Sequence, residues 1–135
     1  MNVTITQEQG NVPVTILHIH GKLDGSNYKT VIAQAQELYE NGVQKMLIDL
    51  SEVEYMSSAG MVALLSIAKL LKGHNLEGEE GWSLLHSAER ERQSGPQKLV
   101  KLLKPQPRIA QALDIAGFNQ VFEIHQDLKQ AVASF

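Results

Sequence analysis

Apolar positions along this chain recur with two different periods, and the changes between them mark out strands and helices. Val3, Ile5 and Gln7 alternate with Asn2, Thr4 and Thr6, which predicts an opening strand. After a break at Gly10 and Asn11, residues 12–20 are rich in β-branched side chains and predict a second strand, closed by Gly21. Pro13 places a strand start or an edge there. Within 26–41 the spacing switches: Val31, Ile32, Ala35, Leu38 and Tyr39 lie on one helical stripe, and Asn41-Gly42 stops it. Residues 45–50 form a nearly unbroken apolar run, which suits a central strand covered on at least one face.

A short polar turn is expected next. A helix over 58–72 follows, carried by Met61, Leu64, Leu65, Ala68 and Leu71. Lys69 and Lys72 complement its C-terminal dipole, and Gly73 suits the position just beyond. Residues 98–103 predict a strand. Pro105 and Pro107 introduce a helix over 108–116 that Gly117 ends. A last strand over 121–124 and a terminal helix over 127–134, capped by Asp127, complete the pattern. Alternating strands and helices predict an α/β class, with helices packed on a mixed sheet.

One stretch breaks the rhythm. Between Gly73 and Gln97 the chain is polar and carries Gly78, Gly81 and Gly95. It also holds Glu77, Glu79, Glu80, Glu89 and Glu91 against Arg90 and Arg92. A connection this long is uncommon inside a compact domain. It reads as an insertion over about 74–97, either a tolerated surface excursion or a partner-contact element. A short helix is expected over 84–92, anchored by Trp82, Leu84 and Leu85.

The chain has 135 residues, 43% hydrophobic and 20% charged, which fits one ordinary globular domain with a proper core. A net charge of -3 gives no basic footprint, so direct nucleic-acid binding is not expected. Cysteine is absent, which excludes disulfides and thiolate zinc sites. The first residues lack a basic segment followed by an apolar one, and the apolar run over 61–71 is too short to cross a bilayer. A cytoplasmic protein without membrane insertion is expected.

The candidate chemistry lies at Ser57 and Ser58, where a strand gives way to an apolar helix. The first turn of a helix holds unpaired N–H groups and a partial positive charge. A serine there caps the helix when bare, and when phosphorylated it presents an anion to a site that favours one. From spacing alone one of the two serines is an ordinary cap. His18 and His20 point to one face of a strand, a spacing that can chelate a metal, but no third ligand is identifiable and no metal is assigned. His74, His86 and His125 assemble no site. The motifs of metalloproteases, P-loops, dinucleotide folds and nucleophile elbows are all missing, so neither an enzyme nor a cofactor is expected.

Gly21-Lys22-Leu23-Asp24, Leu47-Ile48-Asp49-Leu50-Ser51 and Tyr55-Met56-Ser57-Ser58-Ala59-Gly60-Met61 together resemble the STAS domain of bacterial anti-sigma factor antagonists. Residues 109–133, with Leu113, Gly117-Phe118, Val121-Phe122 and Ala131, are similar to the C-terminal third of that family. The resemblance covers about 1–72 and 97–135. It implies one STAS domain over 1–135, with a sheet of four or five strands and about four helices mainly on one face. It also implies binding, not catalysis: such proteins bind a serine-kinase anti-sigma factor and free a sigma factor. The kinase reverses this by phosphorylating a serine at the start of the second helix, and a serine phosphatase restores it. That serine aligns with Ser58. The resemblance places Asp24, Ser57, Ser58, Ala59, Gly60 and Met61 on the partner-binding surface. Asp24 is either part of that surface or an Asx turn leading into the first helix.

This chain departs from the family pattern at two positions. Ser57 stands where relatives often carry Asp, which makes it a rival acceptor, and Ala59 stands where many carry a second Ser or Thr. Two other functions compete. A STAS accessory subunit of a lipid or anion transporter would co-purify with a transporter ATPase. A small nucleotide-binding domain or enzyme would give saturable heat with nucleotides.

Overall fold

The computed structural model describes residues 2–73 and 96–135. The described chain forms one five-stranded sheet whose spatial order matches its chain order: β1 (Asn2–Gln9), β2 (Pro13–Leu23), β3 (Met46–Met56), β4 (Val100–Leu103) and β5 (Ile124–His125). β1 and β2 form an antiparallel hairpin, and the other pairings are parallel. Parallel neighbours need crossovers. Helix α1 (Tyr28–Glu40) connects β2 to β3, α2 (Ser58–Leu71) leaves the end of β3, and α3 (Pro107–Ile115) lies between β4 and β5. A short helix α4 (Leu128–Ala133) follows β5. The architecture is the mixed α/β class that the alternation predicts.

Strand alternation divides the core in two. Leu17 and Ile19 of β2 and Ile48 and Leu50 of β3 pack with Val31 and Ala35 of α1, Leu64 and Leu65 of α2, and Ile109 and Leu113 of α3. On the opposite face Val14, Ile16, Leu47 and Leu103 pack under Ala131 and Val132 of α4. Three helices thus cover one face, and α4 covers part of the other. Lys101, 3% exposed, pins α4: its Nζ reaches Ser134 O at 2.9 Å, Ser134 Oγ at 3.0 Å and Glu123 Oε2 at 3.1 Å.

Several expected boundaries move. β2 does not close at Gly21 but runs through it, at φ 94°, to Leu23, because β3 continues beside it. The expected polar turn after Leu50 does not form, and β3 extends to Met56. Val53 and Met56 are buried, so that segment stays on the sheet despite its polar residues. The strand expected over 121–124 shrinks to Ile124–His125. A 3-10 turn (Phe118–Gln120) precedes it, and Phe118 and Phe122, with ring centroids 6.0 Å apart, sink into the core. α1 begins two residues later than expected, with Asn27 at the N-cap position but its side chain making no capping bond. Pro107 opens α3, Gly117 at φ 79° follows it, and Asp127 caps α4 by accepting from Lys129 N and Gln130 N, all as the sequence predicts. The helix expected over 84–92 lies outside the described residues, as does most of the 74–97 insertion. At its C-terminal end Gln97 is buried, and its N–H donates to Val121 O at 2.7 Å.

β3 carries two extra residues against β2. His18 pairs with Asp49 and His20 with Glu52, then Gly21 with Val53 and Lys22 with Tyr55. Each step spends one more residue on β3 than on β2, the mark of a bulge. The first bulge is held by Ser51, whose N–H donates to Asp49 Oδ1 at 2.9 Å and whose carbonyl accepts from Gln106 Nε2 at 3.0 Å.

Candidate functional site

The site is the place where the parallel ends of β2 and β3 meet the first turn of α2. Leu23 pairs with Met56, and one residue on, Ser57 N–H donates to Leu23 O at 3.0 Å. The turn after β2, which begins at Asp24, and the start of α2 are therefore joined at Leu23 and Ser57.

The two serines have different roles. Ser57 is the N-cap: its backbone is extended (φ −87°, ψ 178°) and its Oγ accepts from Ala59 N at 3.2 Å. Ser58 is the first helical residue, is exposed, and its hydroxyl makes no hydrogen bond among the described residues. The sequence expectation gave one serine both duties, cap when bare and phosphate carrier when modified. In the structure Ser57 does the capping and leaves Ser58 uncommitted. Replacing Ser57 by alanine should cost about 1 kcal/mol in a urea melt, the usual worth of such a cap. Ser58→Ala should change stability by less than about 0.5 kcal/mol.

Gly60 fixes how closely α2 seats on the strand ends. A Cβ there would lie 2.6 Å from Met56 Cγ, 2.9 Å from Leu23 O and 3.1 Å from Leu23 Cγ. Met61 is half-buried against the core, and Ala59 is half-buried beside it. Gly60 itself is buried, so its part in the surface is to set backbone approach, not to present a contact.

Asp24 is engaged locally. Its Oδ1 accepts from Ser26 N at 2.9 Å and Ser26 Oγ at 2.6 Å, and its carbonyl accepts from the N–H groups of Asn27 and Tyr28. The Ser26 hydroxyl and amide hold the carboxyl below its ordinary value, with Lys22 adding charge. Asn27 reaches back, accepting from Asp24 N and donating to Lys22 O. Asp24 thus forms the Asx turn that the sequence left as one of two readings. Tyr55, 50% exposed, stands just before the site and had no signal in the apolar pattern.

Residues 4–77, more than half of the chain, match the STAS domain. This chain belongs to the STAS domain family. Along its whole length it is 22% identical to BtrV of Bordetella bronchiseptica, over 95% of that protein, which is named as an anti-sigma factor antagonist. The STAS fold is also seen in similar solved structures. One, from Thermotoga maritima and again named as an anti-sigma factor antagonist, matches with a TM-score of 0.65 at 17% identity, covering 87% of this chain and 83% of that one. Another is the Bacillus cell fate determinant SpoIIAA, solved in its phosphorylated form, with a TM-score of 0.57 at 14% identity over 96% of each chain. No helix among the described residues of this STAS domain is long and apolar enough to cross a membrane.

Away from Ser58, the part of the second face that α4 leaves uncovered carries a polar ladder. His18 Nδ1 lies 2.7 Å from Asp49 Oδ2, and its Nε2 lies 2.7 Å from Thr6 Oγ1. His20 repeats the arrangement with Glu52 at Nδ1 and Thr4 Oγ1 at 3.1 Å from Nε2. Burial raises the Asp49 pKa, but hydrogen bonds from Ser51 and His18 outweigh it and hold the carboxyl below its ordinary value. A carboxylate lowered on folding stabilises the protein above its unfolded value and loses that contribution as pH falls through the folded one. Asp49→Asn should therefore narrow the stability gap between neutral and strongly acid pH, read from urea midpoints across the acid range.

Proposed function

We propose that this STAS domain is an anti-sigma factor antagonist, and that it binds a serine-kinase anti-sigma factor through the β2–α1 turn and the first turn of α2. The kinase releases itself by phosphorylating Ser58, and a serine phosphatase resets the protein. The observation that carries this reading is the exposed, uncommitted hydroxyl of Ser58 at the leading end of α2. An acceptor must enter another protein's active site, and Ser57, half-buried and bonded to Ala59 N, is less suited to it. The names of BtrV and of the Thermotoga maritima protein, and the phosphorylated form of SpoIIAA, support the same assignment.

In this reading the whole chain, 1–135, works as one cytoplasmic binding domain without catalysis of its own. Asp24 and Gly60 shape the surface, Ser57 caps the helix, and Ala59 and Met61 border the contact. The 74–97 insertion lies beyond α2 in sequence. Incubation with the cognate kinase and ATP should add one phosphate to the wild type and none to Ser58→Ala. A Ser57→Ala variant should still accept it. Phosphate found on Ser57, or on both serines, would overturn the assignment.

A further inference from the structure

The proposed function leaves His18 and His20 unused, although they are the most organised polar groups outside the switch site. Both project from β2 onto the same open face, and their side chains retain 23% and 34% of their exposure. Each Nδ1 is held by a carboxylate, Asp49 or Glu52. The bulge in β3 makes this possible, because Asp49 and Glu52 are three apart and would otherwise face opposite sides of the sheet. With the proton on Nδ1 facing the carboxylate, each Nε2 presents a lone pair, here accepting from an exposed threonine hydroxyl of β1.

We propose that His18 and His20 bind one divalent transition-metal ion of borderline softness, such as zinc, nickel or copper, through their two Nε2 atoms. A metal-binding histidine commonly donates its other ring N–H to a carboxylate, which fixes the tautomer and raises the basicity of the ligating nitrogen. Both imidazoles already have that support. Same-face residues on a strand stand about 6.6 Å apart, and zinc–nitrogen bonds of about 2.0–2.1 Å need the two Nε2 atoms roughly half that distance from each other. The rings therefore converge, giving up the threonine bonds and keeping the carboxylate ones. Among the described residues no three His, Cys, Asp or Glu side chains surround one point, so water completes the coordination sphere. An ion held in this way remains open on its outer side.

The test is a titration of the full chain with zinc chloride alone, in a His74→Ala/His86→Ala background that leaves His18, His20 and His125. Calorimetry should show one ion per chain. Long-range proton–nitrogen spectra should show the Nε2 resonances of His18 and His20 moving together while those of His125 stay in place. Glu52→Gln and Asp49→Asn should each weaken uptake by about 10–100-fold, the usual effect of losing such support. His18→Gln/His20→Gln should abolish saturable uptake. No saturable uptake up to millimolar zinc, movement of only one of the two imidazoles, or uptake that survives the double glutamine variant would each overturn the proposal. If that double variant does not fold, the resonances of the histidine-bearing protein decide alone. The result is independent of Ser58, since no partner protein is present.

Discussion

Ser58→Asp is expected to weaken binding to the anti-sigma factor by on the order of 10²–10³-fold without unfolding the protein. One close unit-charge interaction at an effective dielectric near 20 is worth roughly 4 kcal/mol. A micromolar complex has only about 8 kcal/mol in all. A phosphate, at about −1.5 to −2 charges, should act at least as strongly as aspartate. Stability should move the other way. No acidic residue occupies the first turn of α2, so a carboxylate at its first position meets an uncompensated helix dipole. That should add about 0.3–1 kcal/mol. A calorimetric titration with the partner and a urea melt of the same sample check both halves. Intact binding in a stable Ser58→Asp protein would show that the contact lies elsewhere.

The second large effect is expected at Gly60. In an open helix, alanine would exceed glycine by about 1 kcal/mol in helix propensity. Here the added methyl meets the Leu23 carbonyl at 2.9 Å, a backbone atom fixed in the β2–β3 ladder, and Met56 Cγ at 2.6 Å. Overpacking of this kind typically costs about 1–3 kcal/mol. The overlap should win, and Gly60→Ala should lower the melting temperature by several degrees. It should also reduce partner affinity, since relief comes from lifting the start of α2 away from Leu23 and carrying Ser58 with it. A melt no lower than that of the wild type would show that the strand ends yield more easily than their pairing suggests.

Much of the frame was legible because periodicity reports burial. The stripes of α1 and α2, the buried run of β3 and the caps at Asp127 and Gly117 follow from local rules, and the family motifs located Ser57 and Ser58. What escaped was set by neighbours. Ser51 to Met56 look like a turn by composition, but pairing with the end of β2 keeps them extended. Val121 and Phe122 look like a strand, yet the hold of Phe118 on the core bends the chain first. The division of labour between two adjacent serines depends on a single residue of helix phase, below what spacing resolves. The carboxylate support of His18 and His20 depends on a bulge that no period-two reading contains.

The two extra residues in β3 also make its tolerance of length changes uneven. Deleting Ser51 would leave Asp49 and Glu52 two apart, still opposite His18 and His20, with Val53 still turned to the core. Deleting a residue from the regularly paired run Met46–Asp49 would instead carry the side chains before the gap to the opposite face. Natural variation should therefore change residue count at the bulges more readily than within that run.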